Sequence, residues 1–485
     1  MREDRRMGSG KLALVWISVF AIKLLFAFFF NHLQVTQDPD RKIGVLSFAS
    51  GDYDSYIQSM DNYVSNGQYY FINQHNDTVR AGRPPHYAIP YFLARLVTSH
   101  ENAANWLSIF NIFLDSLAVI CLALMAGSII GSGFAFYMAL VLGVISTCVS
   151  NWSTQTVPDS PGASLILIGI YFYWKAFQKD KAIINVLISS FFFSWAIMLR
   201  PYLALVVFVL FLYLIIQKKP RPGYLLKIAI VGVFPFLLII LPWMYRNYQV
   251  MHRVIPFQQD IYAGYGYYPS ELATRKLMTA LGDDGGTFWD PTAIASYFSP
   301  RKSNESTYQY PDYVNNDPQL KARIEEIRIE FINGFGKRDI SEENLFALKV
   351  MKLRSDYIRS HWTRFYVLNP INRIIRFWGH SGSYYISATG RNKALVNSIK
   401  LIQTILYYLV LFAGTAGLIF LGRKDRFGYA LLIPVIILTL LFPVIFGFME
   451  PRYALSFYYP GLLGLVIFFD QLYKRISGRS FKIAV

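Results

Sequence analysis

Two carboxylates, Asp52 and Asp54, flank Tyr53 in a stretch that is otherwise uncharged. A carboxylate held beside an acceptor hydroxyl can act as a general base, and a second one nearby can orient it or bind a cation. A solvated acidic turn with aromatic neighbours would show the same spacing. The spacing therefore makes Asp52 and Asp54 candidates for catalysis without deciding between these readings.

A cation follows on a rigid turn, in the segment Arg83-Pro84-Pro85. The prolines fix the backbone, and a guanidinium is well suited to hold a phosphate or a carboxylate. The alternative is an arginine that extends toward lipid headgroups. His86, which comes next, has no second histidine at the spacing of a zinc site. The turn therefore favours anion binding over metal binding.

The elements that must position these residues are membrane helices. Hydrophobic residues make up 54% of the 485 positions, and they occur in nearly uncharged runs of about 20 residues, the length that crosses a bilayer. We therefore expect an all-α polytopic membrane protein with about ten transmembrane helices. The predicted spans are 12–30, 104–126, 134–150, 163–177, 183–199, 201–216, 225–243, 399–421, 429–448 and 454–473. The first run is too long for a cleavable signal peptide.

The net charge is +17, and the positions of the basic residues agree with the membrane topology. Lys and Arg cluster in the connections between alternate spans, as the positive-inside rule predicts, and this places the N-terminus in the cytoplasm. The opposite loop 151–162 contains neither Lys nor Arg. Because no basic stripe with interleaved aromatics occurs elsewhere, we expect no nucleic-acid partner.

Five regions follow from this topology: 1–30 with the first helix, the first outer loop 31–103, helices 2–7 in 104–243, a second outer region 244–398, and helices 8–10 with a cytoplasmic tail in 399–485. The second outer region opens with a Tyr/Gly-rich stretch at 262–268. Apolar residues at helical spacing then predict helices over 320–335 and 342–357. The stretch 366–378 mixes Arg with Ile and Phe, which predicts a juxtamembrane helix in the interface.

Four arginines are predicted at the outer membrane boundary: Arg83, Arg200, Arg246 and Arg452. Each could anchor the chain at the interface or bind a phosphate, and four at one boundary favour a phosphate site for some of them. Glu450 could pair with Arg452 or help to bind an acceptor.

Two charges, Lys23 and Asp115, are predicted near the middle of the first and second spans, about eleven residues from opposite ends. A lone charge at that depth is costly, so each needs a partner. We predict that they pair with each other in a structural role.

Taken together, the motifs of the chain resemble those of the GT-C glycosyltransferases, in the branch of the protein O-mannosyltransferases and the aminoarabinose transferases of lipid A. The resemblance extends from about residue 50 to about residue 465, while 255–360 match no known pattern. The motifs that carry it are Asp52 four residues before Tyr56, Asn66-Gly67-Gln68-Tyr69, Arg83-Pro84-Pro85-His86-Tyr87, Leu199-Arg200-Pro201, Pro242-Trp243-Met244-Tyr245-Arg246-Asn247 and Glu450-Pro451-Arg452-Tyr453.

The resemblance implies a polyprenyl-phosphate sugar donor, used on the outer face with inversion at the sugar carbon. Asp52 takes the position of the family's base when counted back from Tyr56, and a two-residue shift in alignment would exchange it for Asp54. The residues implied in substrate binding are Arg83, Tyr87, Arg200, Arg246, Glu450 and Arg452.

The resemblance also implies a multi-pass protein of a bacterial inner membrane, with its site facing the periplasm. The acceptor is a glycan such as lipopolysaccharide, a lipid or a protein, and membrane lipids are further partners. No cofactor is predicted, and a divalent cation is left open. The alternatives are a flippase or transporter of lipid-linked sugars, which usually shows internal repeats, and an O-antigen ligase or polymerase, for which His361 and His380 are candidates.

Overall fold

The computed structural model describes most of the chain, in two units that are considered separately. The first unit comprises 1–259, 381–436 and 452–485, and the second comprises 260–380 and 437–451. The residues described are 8–35, 39–50, 52–73, 77–176, 178, 182–218, 221–259, 268–281, 312–334, 337–383, 386, 392–445 and 451–477.

The first unit is almost entirely helical. Its helices are α1 Ser9–Val35, α2 Ser59–Asn66, α3 Ile89–Arg95, α4 His100–Ile130, α5 Gly133–Ile145, α6 Thr147–Ser150, α7 Asp159–Ala176, α8 Ala182–Leu199, α9 Ala204–Tyr213, α10 Pro222–Met251, α11 Lys393–Tyr408, α12 Thr415–Gly422, α13 Phe427–Ile436 and α14 Leu455–Ile476. Short 3-10 or π turns cover Pro39–Arg41, Asp54–Gln58, Pro85–Tyr87, Pro201–Leu203, Leu214–Lys218, Leu409–Gly414 and Pro451–Ala454. Two short antiparallel strands, β1 Phe71–Ile72 and β2 Thr78–Val79, pair Phe71 with Val79.

Within the described residues, eight helices are long and apolar enough to cross a membrane: Ser9–Leu33, His100–Ile130, Gly133–Ser150, Ala182–Leu199, Pro222–Met251, Lys393–Gly422, Phe427–Val444 and Leu455–Ile476. The remaining two predicted spans are helical as far as they are described. Residues 163–176 of the span predicted at 163–177 lie in the less apolar helix α7, and span 201–216 lies in the shorter apolar helix Pro201–Ile216. The expected class, an all-α polytopic membrane protein, is confirmed.

A proline explains the break between the two spans near residue 200. Arg200 has an extended backbone, with φ −144° and ψ 98°, and Pro201 opens a 3-10 turn before α9. Proline disfavours helical geometry in the residue that precedes it. The break leaves Arg200 directly after the end of α8, where its side chain is not confined to one face of a helix.

Helices α4 and α14 form much of the buried core of the first unit. The approach of α14 to α12 depends on glycine, since a Cβ added at Gly417 would lie 1.7 Å from the carbonyl oxygen of Gly464. By contrast, only 17% of the most apolar stretch of α1 and of α10 is buried, as expected for helices that face lipid.

The predicted pair of Lys23 and Asp115 is confirmed. Lys23 Nζ lies 2.7 Å from Asp115 Oδ2, and both side chains are buried. The hydroxyl of Ser150 lies 2.8 Å from each of those atoms, and Tyr459 donates a hydrogen bond to the other oxygen of Asp115. The pair therefore joins α1, α4, α6 and α14.

The second unit packs amphipathic helices around its own core. Its helices are α15 Pro269–Ala280, α16 Asp312–Asn315, α17 Pro318–Gly334, α18 Ile340–Ser360, α19 Asn369–Gly379 and α20 Phe442–Ile445, with π turns at Arg364–Leu368 and Ile437–Leu441. Asp339 caps α18 in a capping box with Glu342. Leu277, Ile324 and Val350 meet in the core.

The helices predicted over 320–335 and 342–357 are confirmed as α17 and α18. Helix α19 covers most of the stretch 366–378 and leaves Ile371 and Ile375 exposed. Its position in a membrane interface stays a prediction. All but the last residue of the Tyr/Gly-rich stretch 262–268 lies outside the described residues.

Candidate active site

The acidic turn, which carries Asp52 and Asp54, is fixed by backbone pairing with the loop before α7. The amide of Phe48 donates to the carbonyl of Thr154 at 2.9 Å, and the amide of Thr156 donates back to the carbonyl of Phe48 at 3.1 Å. Ser50 Oγ donates to the carbonyl of Thr156 at 3.1 Å. Asp52 lies two residues after Ser50, and Asp159 lies three residues after Thr156. The pairing therefore brings two acidic residues from distant parts of the chain to one place.

Asp52 lies between two guanidinium groups. Its Oδ2 is 3.0 Å from Arg452 Nη2, and its Oδ1 is 4.0 Å from Arg83 Nη2. The three side chains are only 10–14% exposed. The backbone carbonyl of Asp52 accepts a 2.8 Å hydrogen bond from Ser55 Oγ. A carboxylate flanked by cations in a partly enclosed place is held in its ionised form.

Arg83 is held from several sides by residues of other segments. Arg83 Nη1 donates to Gln258 Oε1 at 2.8 Å, and the guanidinium carbon lies 5.1 Å from the ring centre of Tyr56. The hydroxyl of Tyr69 donates to the carbonyl of Arg83 at 2.9 Å. The rigid turn predicted from the two prolines thus aims a fixed cation at Asp52.

A second ion pair, between Arg200 and Asp159, is more deeply buried. Arg200 Nη2 lies 2.5 Å from Asp159 Oδ2, and the side chains are 7% and 0% exposed. Burial by itself would lower the pKa of Arg200, but the charge of Asp159 outweighs it and raises the pKa well above its usual value. Within the described part of the chain, Asp159 Oδ1 and Arg200 Nε are buried without a hydrogen-bond partner. Both atoms can still bind a polar ligand.

The ring of Tyr453 joins the two ion pairs. The guanidinium carbons of Arg200 and Arg452 lie 5.2 and 5.5 Å from its centre. Tyr453 also packs edge-on against Tyr202, whose hydroxyl donates to the Tyr453 carbonyl at 3.4 Å. Contacts therefore link two carboxylates and three arginines in one cluster, in which the ring of Tyr453 lies against two of the cations.

The structure thus brings together four of the predicted site residues: Asp52, Arg83, Arg200 and Arg452. Asp54 begins the π turn and is exposed. Glu450 lies outside the described residues.

Tyr87 and Arg246 serve the framework around this site. Tyr87 is buried, and its hydroxyl donates to the carbonyl of Gln155 at 3.3 Å. Arg246 donates to the carbonyls of Tyr69 at 2.7 Å and Arg80 at 2.5 Å. Their roles in binding substrate stay predictions.

Asp159 is the main residue that the sequence analysis missed. Its signal was present, because it is the one acidic residue of a loop without Lys or Arg and stands at the start of α7. Gln258, the partner of Arg83, had no comparable signal, since it lies at a distance of 175 residues.

A hydrogen-bonded cluster lies beside the acidic turn. Tyr53 hydroxyl is 2.8 Å from His100 Nε2, and His100 Nδ1 is 2.9 Å from Asp61 Oδ2. Burial would raise the pKa of Asp61, but hydrogen bonds from His100, Tyr91 and Arg95 together lower it. Asp61 is therefore ionised at neutral pH.

Across the described residues, no group of three or more His, Cys, Asp or Glu side chains lies close enough to hold a metal ion. Around Asp52, the guanidinium groups of Arg83 and Arg452 supply positive charge of the kind that binds phosphates and carboxylates.

Comparison with known proteins finds a family match within the chain and similar crystal structures. Residues 83–245 match the family described as dolichyl-phosphate-mannose-protein mannosyltransferase, whereas no curated protein matches the chain. Two crystal structures of ArnT from Cupriavidus metallidurans align with it, one bound to undecaprenyl phosphate and one in the apo state. They cover 97% and 96% of this chain and 79% of the ArnT chain, at 13% and 12% identity and TM-scores of 0.37 and 0.35.

The family match bears out the resemblance to GT-C glycosyltransferases, and it indicates that this multi-pass membrane protein is a glycosyltransferase.

Proposed function

We propose that this protein transfers a sugar from a polyprenyl-phosphate donor to an acceptor hydroxyl, with Asp52 as general base and inversion at the sugar carbon. The observation that carries the proposal is the position of Asp52 between Arg452 and Arg83, 3.0 and 4.0 Å away. A base and cations for a leaving phosphate are thus present in one partly enclosed place.

The arginines support a phosphate leaving group. Guanidinium groups bind phosphate oxygens through paired hydrogen bonds, and Arg83 and Arg452 are held by contacts that leave them near the base. The described family uses a dolichyl-phosphate sugar, which is a donor of this chemical class. Arg452 would contact Asp52 in the resting site and the phosphate when the donor is bound.

The reaction then needs one proton transfer and one substitution. Asp52 takes the proton of the acceptor hydroxyl while its oxygen forms a bond to the sugar carbon from the face opposite the phosphate. The bond between that carbon and the phosphate oxygen breaks, and its electron pair remains on the phosphate. Negative charge grows there in the transition state, so fixed guanidinium groups lower the barrier.

Asp159 and Arg200 are suited to hold the sugar. Their buried atoms Oδ1 and Nε have unused hydrogen-bonding capacity, and a sugar hydroxyl can both donate and accept. Both atoms are shielded from solvent, so the sugar would reach them only after a local opening of the site. The two groups beside Tyr453 would then fix its orientation, which lowers the entropic cost of reaction.

We place the site on the outer face of a bacterial inner membrane, because the basic residues cluster in the loops on the opposite side of the membrane. In intact cells, a cysteine at the exposed position Gln68 should react with a membrane-impermeant thiol reagent, and one at Gln178 should not. The native Cys121 and Cys148 are buried and give the background. Labelling only at Gln178 would reverse the topology.

Mass spectrometry of cell-envelope glycans and lipids tests the proposed function and identifies the acceptor. Cells that lack the gene should lose one sugar modification, wild-type protein should restore it, and Asp52→Asn should not. We expect a change on lipopolysaccharide or another glycan, a lipid or a protein. Loss of the modification together with a lipid-linked sugar that accumulates on the cytoplasmic side would favour a flippase instead.

A further inference from the structure

His100 is the centre of the hydrogen-bonded cluster beside the acidic turn. It is the first residue of α4, and its ring joins Tyr53 at the turn, Asp61 in α2 and Tyr91 in α3. Three helices and the turn of Asp52 therefore meet at one imidazole.

In this cluster, each hydrogen bond is donated in the direction of Asp61. Asp61 can only accept, and it receives a bond from the Tyr91 hydroxyl at 2.5 Å. Its other oxygen faces His100 Nδ1 at 2.9 Å, so the ring carries its proton there. In the neutral ring Nε2 is then an acceptor, and the hydroxyl of Tyr53 donates to it at 2.8 Å. The ring and both hydroxyls are thus oriented by one carboxylate.

We propose that His100, oriented by Asp61, is a positioning residue for the base Asp52 and acts through Tyr53. This inference rests on the proposed role of Asp52. Tyr53 follows Asp52 directly, so fixing the Tyr53 side chain fixes the backbone that carries the base. The preceding side of the turn is fixed separately, by the pairing of Ser50 with Thr156.

Such a fixed backbone matters because a base displaced by about 1 Å can lose roughly 100-fold in rate. The peptide between Asp52 and Tyr53 is held within the turn, because its carbonyl accepts from Ser55 Oγ at 2.8 Å and its amide donates to the carbonyl of Ser50 at 3.1 Å. The side chain of Tyr53 ties this turn to α4 through His100, so its loss should let the turn shift and slow the chemical step while the arginines still bind the donor.

Purified protein with a polyprenyl-phosphate sugar and its acceptor tests this inference by separating kcat from KM. In His100→Ala we expect kcat to fall roughly 10- to 100-fold, with KM for the donor within about twofold of wild type. Tyr53→Phe, which keeps the ring, should show a similar fall. The matched control His32→Ala removes an exposed histidine of α1 and should leave both constants unchanged.

Two conservative variants distinguish positioning from a purely structural role. The amide of His100→Gln reaches about the place of Nε2 and can still bond Tyr53, whereas that of His100→Asn reaches about the place of Nδ1 and bonds Asp61. Recovery of kcat by Gln and not by Asn supports the inference.

Equal recovery by both amides, or a wild-type kcat in Tyr53→Phe, overturns it. If Asp52→Asn itself remains active, the proposed function has failed instead. Should His100→Ala not fold, Tyr53→Phe alone gives the decision.

Discussion

Two ion pairs, one near Asp52 and one on the helices of the second unit, differ in their access to water. Arg200 and Asp159 are 7% and 0% exposed, whereas Lys349 and Glu330 in the second unit are 44% and 43% exposed. Burying an ion costs several kcal/mol, which its partner repays only in part, while an exposed pair costs and contributes little. The burial of Arg200 and Asp159 is therefore weak evidence for stability, and their place near Asp52 makes function the explanation to test.

The largest effect is expected at the pair of Arg200 and Asp159. Arg200→Leu leaves Asp159 buried without its cation, which should cost about 3 to 5 kcal/mol of stability, measured by thermal unfolding in detergent. The double variant Asp159→Leu/Arg200→Leu should recover most of that stability and no transfer activity. A double variant that is both stable and active would break the comparison, because the charges would then have no functional reason.

A similar test applies to Lys23 and Asp115, a buried pair far from Asp52 in the sequence. Lys23→Ala should lower stability by about 3 kcal/mol, and Asp115→Ala should do the same. The double variant should lose less than the sum, since the two side chains act on each other. Strictly additive losses in thermal unfolding would show that Ser150 and Tyr459 hold each charge independently.

A smaller, pH-dependent effect is expected at His86. Burial lowers its pKa from 6.5 to about 4, although the bond from Nε2 to the carbonyl of Ile239 opposes the shift. The unfolded chain therefore binds a proton below pH 6.5 that the folded protein does not, and stability falls as the pH drops from 6.5 toward 4.

Glutamine tests this assignment, because it keeps a donor for the Ile239 carbonyl and does not titrate. The melting temperature of His86→Gln should fall less steeply than that of wild type between pH 6.5 and pH 4. Identical slopes for the two proteins would place the acid sensitivity in other groups.

The smallest effect is expected at an exposed charge of the second unit. Lys349 bridges Glu326 and Glu330 at 3.0 and 2.5 Å, with its side chain 44% exposed. Lys349→Ala should change stability by no more than about 0.5 kcal/mol and leave transfer unchanged. A loss comparable to that of Arg200→Leu would remove the distinction between the two regions.

Local patterns of the sequence were sufficient for the helices and for several site residues. Apolar runs and helical spacing predicted the spans and the helices α17 and α18. Burial in a core or in lipid requires apolar residues at a regular spacing, and that spacing is visible in the sequence itself. The sequence also singled out Arg83, Arg200 and Arg452, which lie close to Asp52 or Tyr453 in the structure; their position at a membrane boundary stays a prediction. The pairing of Lys23 with Asp115 followed from depth alone.

Contacts between distant segments were beyond the sequence. The meeting of Asp52 with Arg452 depends on a fold that joins residues 400 positions apart, and no periodicity encodes it. Asp159 was overlooked because an acidic residue at a helix start is common in any protein. Its importance appeared only when Arg200 was found beside it.

The central claim, that Asp52 is the base of a sugar transfer, is tested most directly by single-turnover transfer from a purified polyprenyl-phosphate sugar. Asp52→Asn keeps the shape of the side chain but cannot take a proton, so its rate should fall by at least about 100-fold. Asp54→Asn is the matched control two residues away, with an exposed side chain, and should keep most of the rate. Normal transfer by Asp52→Asn with an inactive Asp54→Asn would move the base to Asp54, and normal transfer by both would contradict the account.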